Sequence, residues 1–183
     1  MGTPTLGMDR ERWLAELGRD VVAAAYLEGH FVLRSGAVSS YYFDKYRLTT
    51  RPAILRRLGV ALAEMLPPET DRIAGPELGA IPLATAVSLE SGRPSVFVRR
   101  QAKEYGTAAS FEGELEPGER IVLLEDVLTT GGEAIRAARA LRDFGADVLE
   151  IIGVVDREEG AAANIARAGF RYRALFTKRG LGL

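Results

Sequence analysis

The sequence predicts an α/β fold in which a parallel sheet of about five strands is flanked by helices, with a small N-terminal hood. Short apolar runs rich in β-branched residues occur at residues 121–124 and 148–155. Such runs are typical of strands that are buried on both faces of a parallel sheet. Apolar residues with helical spacing follow these runs, and this alternation of strands and helices is the pattern of parallel β-α-β units.

Length and composition suit one globular domain. The chain has 183 residues, of which 47% are hydrophobic and 27% are charged, and its formal net charge is −1. We therefore expect a single domain over residues 1–183, with a helix and the hood in about residues 1–50 and the core in residues 51–183. The small net charge gives no electrostatic reason to expect nucleic acid or a membrane as a partner.

Residue counts exclude several kinds of site. The sequence has no cysteine and one histidine, His30, which excludes disulfides, thiolate metal sites, a cysteine nucleophile and multi-histidine metal sites. The N-terminus shows no signal-peptide pattern, and no apolar run approaches the roughly 20 residues that a membrane span requires. We expect a soluble, cytoplasmic protein.

The N-terminal part is predicted to form a helix at residues 9–28 and two short strands, joined by a turn, within residues 31–50. We expect these strands to lie outside the main sheet. Their aromatic cluster at residues 41–43 has two interpretations that the residues alone leave open: a small satellite core, or a lid over a planar ring. A second helix is predicted at residues 51–66, with Pro52 in its first turn.

The core is predicted to continue with strands and helices in alternation. Further strands are expected at residues 72–74, 95–99 and 172–176, and helices at residues 81–89 and 158–168. A polar segment, residues 101–119, separates the strand that ends in Arg99 from the strand that begins at Ile121. Loops of this length are usually functional or disordered, and the position of this one favours a function.

The segment at residues 121–142 is predicted to carry the main site. Two carboxylates, Glu125 and Asp126, follow its apolar run, and a small-residue turn at residues 129–132 then opens a helix. Glycines let backbone N–H groups converge on a ligand, and a helix N-terminus favours anions. Acidic pairs accept hydrogen bonds from sugar hydroxyls and can lie near a hydrated magnesium ion. The segment therefore predicts a binding site for a ribose 5-phosphate.

This segment closely resembles the signature of the type I phosphoribosyltransferases, enzymes that use phosphoribosyl pyrophosphate (PRPP). The resemblance implies the type I phosphoribosyltransferase fold. The residues that it assigns to PRPP are Glu125, Asp126, Val127, Leu128, Thr129, Thr130, Gly131 and Gly132. Glu133 stands where relatives often have Ser or Thr. Its spacing from Thr130 is that of a capping box, which predicts that its carboxylate accepts a hydrogen bond from the Thr130 N–H and caps the helix.

The N-terminal segment resembles the orotate phosphoribosyltransferases in particular. Residues 31–43 follow the pattern F-x-L-x-S-G-x-x-S-x-Y-Y/F-F. This resemblance implies that Tyr42 and Phe43 lie near orotate. It also implies that Arg34 faces the substrates, including PRPP, where that family commonly has a lysine. Arginine keeps the positive charge but changes its geometry.

A D-R-x-E-G pattern at residues 156–160 also resembles the orotate family. The resemblance implies that Arg157 pairs with the carboxylate of orotate and that Thr129 also lies near orotate. A guanidinium fork can bind a carboxylate through two parallel hydrogen bonds, which suits this role.

The long polar loop resembles the mobile catalytic loop of orotate phosphoribosyltransferases, typically R-K-x-x-K-x-H-G. The resemblance implies that Arg99, Arg100 and Lys103 bind the pyrophosphate group of PRPP and assist catalysis. Tyr105 stands in place of the usual histidine, and since tyrosine cannot supply an imidazolium, Lys103 is the better candidate for the main contribution. Some orotate enzymes have a lysine aligned with Gly79, so here a pyrophosphate contact at that loop would come from the backbone.

Together the motifs imply transfer of the 5-phosphoribosyl group from PRPP to orotate, giving orotidine 5′-monophosphate and pyrophosphate in de novo pyrimidine synthesis. They imply Mg²⁺ held mainly through PRPP and water, with no direct protein ligand, and a homodimer that shares the loop between subunits. Two alternatives are a purine-salvage phosphoribosyltransferase and a PRPP-sensing, non-enzymatic regulator on the same fold. Arg157 and the aromatic hood argue against the first, and the lack of a basic excess argues against the second.

Overall fold

The computed structural model describes residues 7–32, 36, 38–100 and 111–183. In this part of the chain the helices are Gly7–Ala25 (α1), Tyr46–Thr49 (α2), Pro52–Ala63 (α3), Glu77–Ser91 (α4), Gly132–Phe144 (α5) and Ala161–Arg167 (α6). The strands are Tyr26–Val32 (β1), Val38–Phe43 (β2), Arg72–Pro76 (β3), Ser95–Val98 (β4), Phe111–Glu112 (β5), Arg120–Leu128 (β6), Asp147–Asp156 (β7) and Tyr172–Thr177 (β8). None of these helices combines the length and the apolar character that crossing a membrane requires.

The main sheet has the strand order β5-β4-β3-β6-β7-β8. The pairs β3–β4, β3–β6, β6–β7 and β7–β8 are parallel, which confirms the predicted α/β class and the five parallel strands. The sixth strand, β5, pairs with β4 in the antiparallel direction. It lies in a segment that the sequence predicted to be loop, since a two-residue strand is too short to give a periodic pattern.

Helices cover both faces of this sheet. One layer contains α1, α3 and α4, and the other contains α5 and α6. The first half of β6 alternates between them: Ile121 and Leu123 pack in the α5 and α6 layer, whereas Val122 and Leu124 pack in the α1, α3 and α4 layer. All four side chains are fully buried. Burial of each contributes about 1.5–3 kcal/mol, so β6 is held firmly in the middle of the sheet.

The hood is a separate antiparallel hairpin of β1 and β2, outside the main sheet as predicted. The helix predicted at residues 9–28 was placed too far toward the C-terminus, because the observed helix is Gly7–Ala25 and the chain then turns directly into β1. Residues 26–28 pair with residues 41–43, and these ladder hydrogen bonds replace the helical ones. After β2 the chain forms the short helix α2, where the sequence predicted the end of a strand.

Two other boundaries differ from the prediction near the edge where the site lies. Strand β6 runs on to Leu128, because Glu125, Val127 and Leu128 continue the ladder with β7. The two acidic residues therefore belong to the strand rather than to the loop after it. Helix α4 begins at Glu77, before the predicted start, and Glu77 has a left-handed φ of +55°.

Candidate active site

A cleft of about 420 Å³ opens at the carboxyl ends of β6 and β7, which is where open α/β sheets bind ligands. The hood contributes one side of the cleft, and the start of α5 contributes another. The lining residues are Phe43, Lys45, Glu125, Val127, Leu128, Thr129, Thr130, Gly131, Gly132, Glu133, Ala134 and Arg157. Apart from Asp126, every residue that the sequence assigned to PRPP within residues 125–132 is part of this lining.

The turn at residues 129–132 is shaped by Gly131, whose φ of +78° lies in the left-handed region that favours glycine. A Cβ at this position would lie 3.1 Å from Cγ1 of Ile165 on α6. Gly131 is the N-cap of α5, and it has no side chain that could cap the first N–H groups of the helix. Nδ2 of Asn164 donates to the carbonyl of Thr130 at 2.8 Å and fixes the turn to α6. The turn is therefore held in place at the start of α5, and a helix N-terminus favours anions.

Glu133 does not cap α5, so the prediction of a capping box was wrong. No side-chain hydrogen bond caps this helix. Instead the Glu133 carboxylate accepts a hydrogen bond from Nη2 of Arg100 at 2.6 Å and another from Nε of Arg136 at 3.2 Å. Charge-assisted bonds of this kind are stronger than a bond from a neutral backbone N–H. Desolvation raises the pKa of Glu133, but the two arginines outweigh it and leave the pKa below its ordinary value.

The acidic pair is buried, with Glu125 8% exposed and Asp126 1% exposed. Glu125 lines the cleft. Burial and the neighbouring charge of Asp126 raise the pKa of the Glu125 carboxyl well above its ordinary value. Asp126 lies behind the lining, where its Oδ1 accepts a hydrogen bond from the Val127 N–H at 2.6 Å. The two carboxylates therefore have different surroundings and different partners.

Lys45 is a cleft residue that the sequence did not reveal. It follows β2 of the hood, and its Nζ lies 3.0 Å from Oδ2 and 3.2 Å from Oδ1 of Asp126. Burial lowers the pKa of Lys45, but the charge and hydrogen bond of Asp126 raise it by more, so the ammonium stays protonated. No motif could have indicated this pair, because the two residues are 81 positions apart and meet only when the hood folds over the sheet.

Gly79 provides the space for this ion pair. A Cβ at position 79 would lie 2.0 Å from Oδ2 of Asp126 and 3.0 Å from Nζ of Lys45. The first distance is far inside van der Waals contact, so any side chain here would displace the carboxylate. The glycine near the start of α4 is thus a packing requirement of the acid beside it.

Arg157 lies between the cleft and the hood. Its Nη2 donates to the hydroxyl of Tyr41 at 3.0 Å and pairs with Oε1 of Glu159 at 2.8 Å. The Tyr41 ring stacks on that of Tyr26, with 5.3 Å between centroids. These contacts hold the guanidinium in place, and Arg157 and Phe43 both line the cleft.

Tyr42, which the sequence assigned to orotate, does not line the cleft. Side chains alternate along a strand, so Tyr41 and Phe43 share one face of β2 and Tyr42 lies on the other. There its ring contacts that of Phe31, at 5.6 Å between centroids, and it is 42% exposed. The structure places Tyr41, rather than Tyr42, beside Arg157.

The described base of the long loop is anchored by acidic residues. Nη1 of Arg99 donates to Glu112 at 3.1 Å. The Arg100 N–H donates to Glu77 at 2.5 Å, while its guanidinium pairs with Glu133. Neither arginine lines the cleft, although Arg100 contacts Glu133, which does.

The remaining predicted site residues, Arg34, Lys103 and Tyr105, lie outside the described residues. The roles that the resemblance implies for them stay predictions.

Comparison with known proteins identifies the family. Residues 48–168 match the phosphoribosyl transferase domain. The orotate phosphoribosyltransferase of Pyrococcus horikoshii is 51% identical over 150 residues, which cover 80% of this chain and 81% of that protein. The chain belongs to the orotate phosphoribosyltransferase family. This confirms the resemblance that the motifs indicated.

Solved structures of orotate phosphoribosyltransferases have the same fold. The crystal structure of the Mycobacterium tuberculosis H37Rv enzyme in complex with Fe(III) dicitrate has a TM-score of 0.84 at 34% identity, covering 93% of this chain and 99% of that one. The same enzyme in complex with PRPP has a TM-score of 0.79 at 32% identity, with the same coverage of both chains. The type I phosphoribosyltransferase fold is thereby confirmed.

Replacing Gly131 with alanine should weaken binding of ribose 5-phosphate at least tenfold, because the added Cβ disturbs the anion-binding turn and presses on Ile165. The variant should also lose about 1–2 kcal/mol of stability from the left-handed backbone. Gly118→Ala is the matched control, since its φ is +87° and its Cβ would meet nothing within 4 Å. Calorimetric titration and thermal unfolding measure both effects. Equal ribose 5-phosphate affinities for the two variants would contradict the assignment of the turn.

Glu125→Gln should stabilise the protein, and the gain should grow as the pH rises above 4.5, the ordinary pKa of a glutamate carboxyl. The folded state raises the pKa of this carboxyl, so its ionisation costs stability as pH rises through the folded pKa, whereas glutamine has no such cost. Each 1 kcal/mol of gain corresponds to roughly 2–4 °C in Tm. Thermal unfolding with a chelator and without substrate measures it. Glu90→Gln, at an exposed position of α4, is the control. If the difference in Tm between Glu125→Gln and the wild type did not change with pH, the prediction would be wrong.

Proposed function

We propose that this protein transfers the 5-phosphoribosyl group of PRPP to orotate, producing orotidine 5′-monophosphate and pyrophosphate in de novo pyrimidine synthesis. One observation carries the proposal: the anion-binding turn at residues 129–132 and the guanidinium of Arg157 line the same cleft. The first suits the phosphate end of a phosphoribosyl donor, and the second suits the carboxylate of the acceptor base.

The 5′-phosphate is proposed to bind the turn at the start of α5. The first residues of the helix have no side-chain cap and line the cleft, and Thr129 and Thr130 add hydroxyl donors. These donors are fixed before substrate arrives, because Gly131 packs on α6 and Thr130 is bonded to Asn164. Preorganised donors bind an anion without a cost of reorganisation.

The ribose is proposed to lie beside Glu125. This carboxylate lines the cleft next to the turn and can accept hydrogen bonds from two adjacent hydroxyls. Its raised pKa indicates a group that is poorly solvated without ligand, and donors from the sugar would stabilise the ionised form. The sequence assigned Asp126 the same role, but Asp126 is bonded to Lys45 and the Val127 N–H.

The reaction displaces a highly anionic leaving group at the anomeric carbon, through an oxocarbenium-like state. Arg99, Arg100 and Lys103 are the cations proposed to offset the charge of pyrophosphate. In the described structure Arg99 pairs with Glu112 and Arg100 pairs with Glu133. Closure of the loop over the substrates would exclude water and so protect PRPP from hydrolysis.

We further propose that Mg²⁺ is the cofactor. Within the described ranges there is no cluster of three or more metal-ligating side chains, and Glu125 is the carboxylate of the acidic pair that lines the cleft. These residues fit an ion that keeps most of its ligands from substrate oxygens and water, which is the usual state of Mg²⁺ in proteins. Bound with PRPP, the ion would neutralise part of the pyrophosphate charge.

Orotate is proposed to bind between Arg157, Thr129 and the hood. Arg157 can give its carboxylate a bidentate partner, and Tyr41 and Glu159 orient the guanidinium beforehand. Phe43 offers the flat apolar surface that a planar ring requires. The aromatic cluster of the hood thus combines a satellite core, through Tyr26 and Tyr41, with one wall of the base site.

A homodimer is also proposed. Large apolar side chains around the hood and the start of α4 are exposed: Val32, Val38, Tyr46 and Leu78. Val32 and Val38 are paired across the hairpin. Contiguous exposed apolar surface is typical of a protein–protein contact, and a shared loop in the second subunit's site would require such a contact.

The function is tested by comparing orotate with adenine, guanine and xanthine as acceptors, each with PRPP and Mg²⁺, by release of pyrophosphate. Orotate should react and the purines should be inert. Turnover of a purine with orotate inert would replace the proposal with a purine-salvage enzyme. Salt-dependent binding of DNA or RNA without any turnover would favour the PRPP-sensing regulator instead.

Arg157→Ala should raise the KM for orotate about 10- to 150-fold, the loss of roughly 1.5–3 kcal/mol expected for hydrogen bonds to a charged group. The KM for PRPP should change little, because the side chain of Arg157 is assigned to the base and the turn at residues 129–132 to the phosphate. Steady-state kinetics measures both constants. Arg139→Ala, at an exposed position of α5, is the control. An unaltered orotate KM in the Arg157 variant would contradict its role.

A further inference from the structure

The ion pair between Lys45 and Asp126 is open on one side only. The Asp126 side chain is 1% exposed, whereas that of Lys45 is 38% exposed and lines the cleft. The acid is thus sealed behind the lining while the ammonium faces the space in which a ligand would lie. Toward a substrate, this pair presents a positive charge.

The ammonium of Lys45 has donors to spare. A lysine ammonium carries three N–H donors. Within the part of the chain that the structure describes, Asp126 is the one hydrogen-bond acceptor of Lys45, and a further contact places Nζ 5.6 Å from the ring centroid of Tyr46. Glu125 adds electrostatic attraction to the same ammonium. The other donors belong to a side chain that lines the cleft.

Asp126 cannot easily leave this arrangement for a ligand of its own. Its Oδ1 is bonded to the Val127 N–H at 2.6 Å, and its Oδ2 lies against Gly79, where even a Cβ would not fit. The carboxylate therefore acts on the cleft through the lysine that it holds.

The position of Lys45 in the cleft indicates which part of the substrate it would contact. The 5′-phosphate belongs to the turn before α5, and the base belongs to Arg157. Lys45 lies at Gly79, beside the N-terminus of the 15-residue helix α4, so its charge adds to the positive end of a second helix dipole. This end of the cleft suits a second phosphate group.

We propose that Lys45 binds the pyrophosphate group of PRPP and that Asp126 is the positioning residue that holds its ammonium there. Resting on the proposed function, this assigns PRPP a contact from the hood that no motif indicated. It also explains Gly79 in physical terms, since a side chain at that position would separate Asp126 from Lys45.

Binding of PRPP with Mg²⁺ and of ribose 5-phosphate, measured by calorimetry, tests the proposal. Lys45→Met should lower the affinity for PRPP at least tenfold and leave the affinity for ribose 5-phosphate unchanged, because only PRPP carries the pyrophosphate. Lys45→Arg should restore part of the PRPP affinity. Asp126→Asn should also lower the affinity for PRPP in the wild-type background. In the Lys45→Met background it should lower this affinity little further, as expected of a residue that acts through Lys45.

The double variant guards against a folding defect. Lys45→Met alone leaves Asp126 as a buried, unpaired carboxylate, whereas Lys45→Met with Asp126→Asn removes both charges. The double variant should therefore unfold at a higher temperature than Lys45→Met while still binding PRPP weakly.

Three results would overturn the inference and leave the proposed function standing. Lys45→Met could bind PRPP with wild-type affinity, it could lose affinity for ribose 5-phosphate as much as for PRPP, or the effects of the two substitutions could be additive. If the wild-type protein itself does not bind PRPP, the proposed function and the inference both fail.

Discussion

The position of β6 in the middle of the sheet is the constraint on which the rest of the site depends. Residues 121–124 are buried between two layers of helices, and a slip of one residue would exchange the side chains of the two faces. Because that register is fixed, Glu125, the turn at residues 129–132 and the start of α5 follow at fixed places. The core therefore sets the geometry of this part of the cleft.

The two adjacent buried carboxylates at the end of β6 are electrostatically unfavourable, and Lys45, which follows the hood, offsets part of this effect. Like charges at short distance oppose each other's ionisation, and burial adds to the effect. Lys45 offsets the charge of Asp126, while Glu125 is left with a raised pKa and a face on the cleft. Glu125 is therefore a poorly solvated carboxyl group, and it is the one of the pair that lines the cleft.

Local sequence patterns predicted much of the fold and of the candidate site. The features that depend on contacts between distant residues could not be predicted. Strand, turn and helix within residues 121–142 are encoded by neighbouring residues, so their order followed from periodicity and glycine chemistry. Tyr42, unlike Phe43, does not line the cleft, because side chains alternate along β2 and the phase of that alternation depends on the hairpin register. The capping box at Glu133 failed for a similar reason, since Arg100, 33 positions away, offers a stronger partner.

A crystal structure of the protein with PRPP and Mg²⁺ would test the proposed phosphate site most directly. The 5′-phosphate oxygens should lie within about 2.7–3.2 Å of backbone nitrogens in the turn at residues 129–132, with Glu125 facing the ribose hydroxyls. A 5′-phosphate bound away from that turn, with the N-terminus of α5 facing solvent, would contradict it.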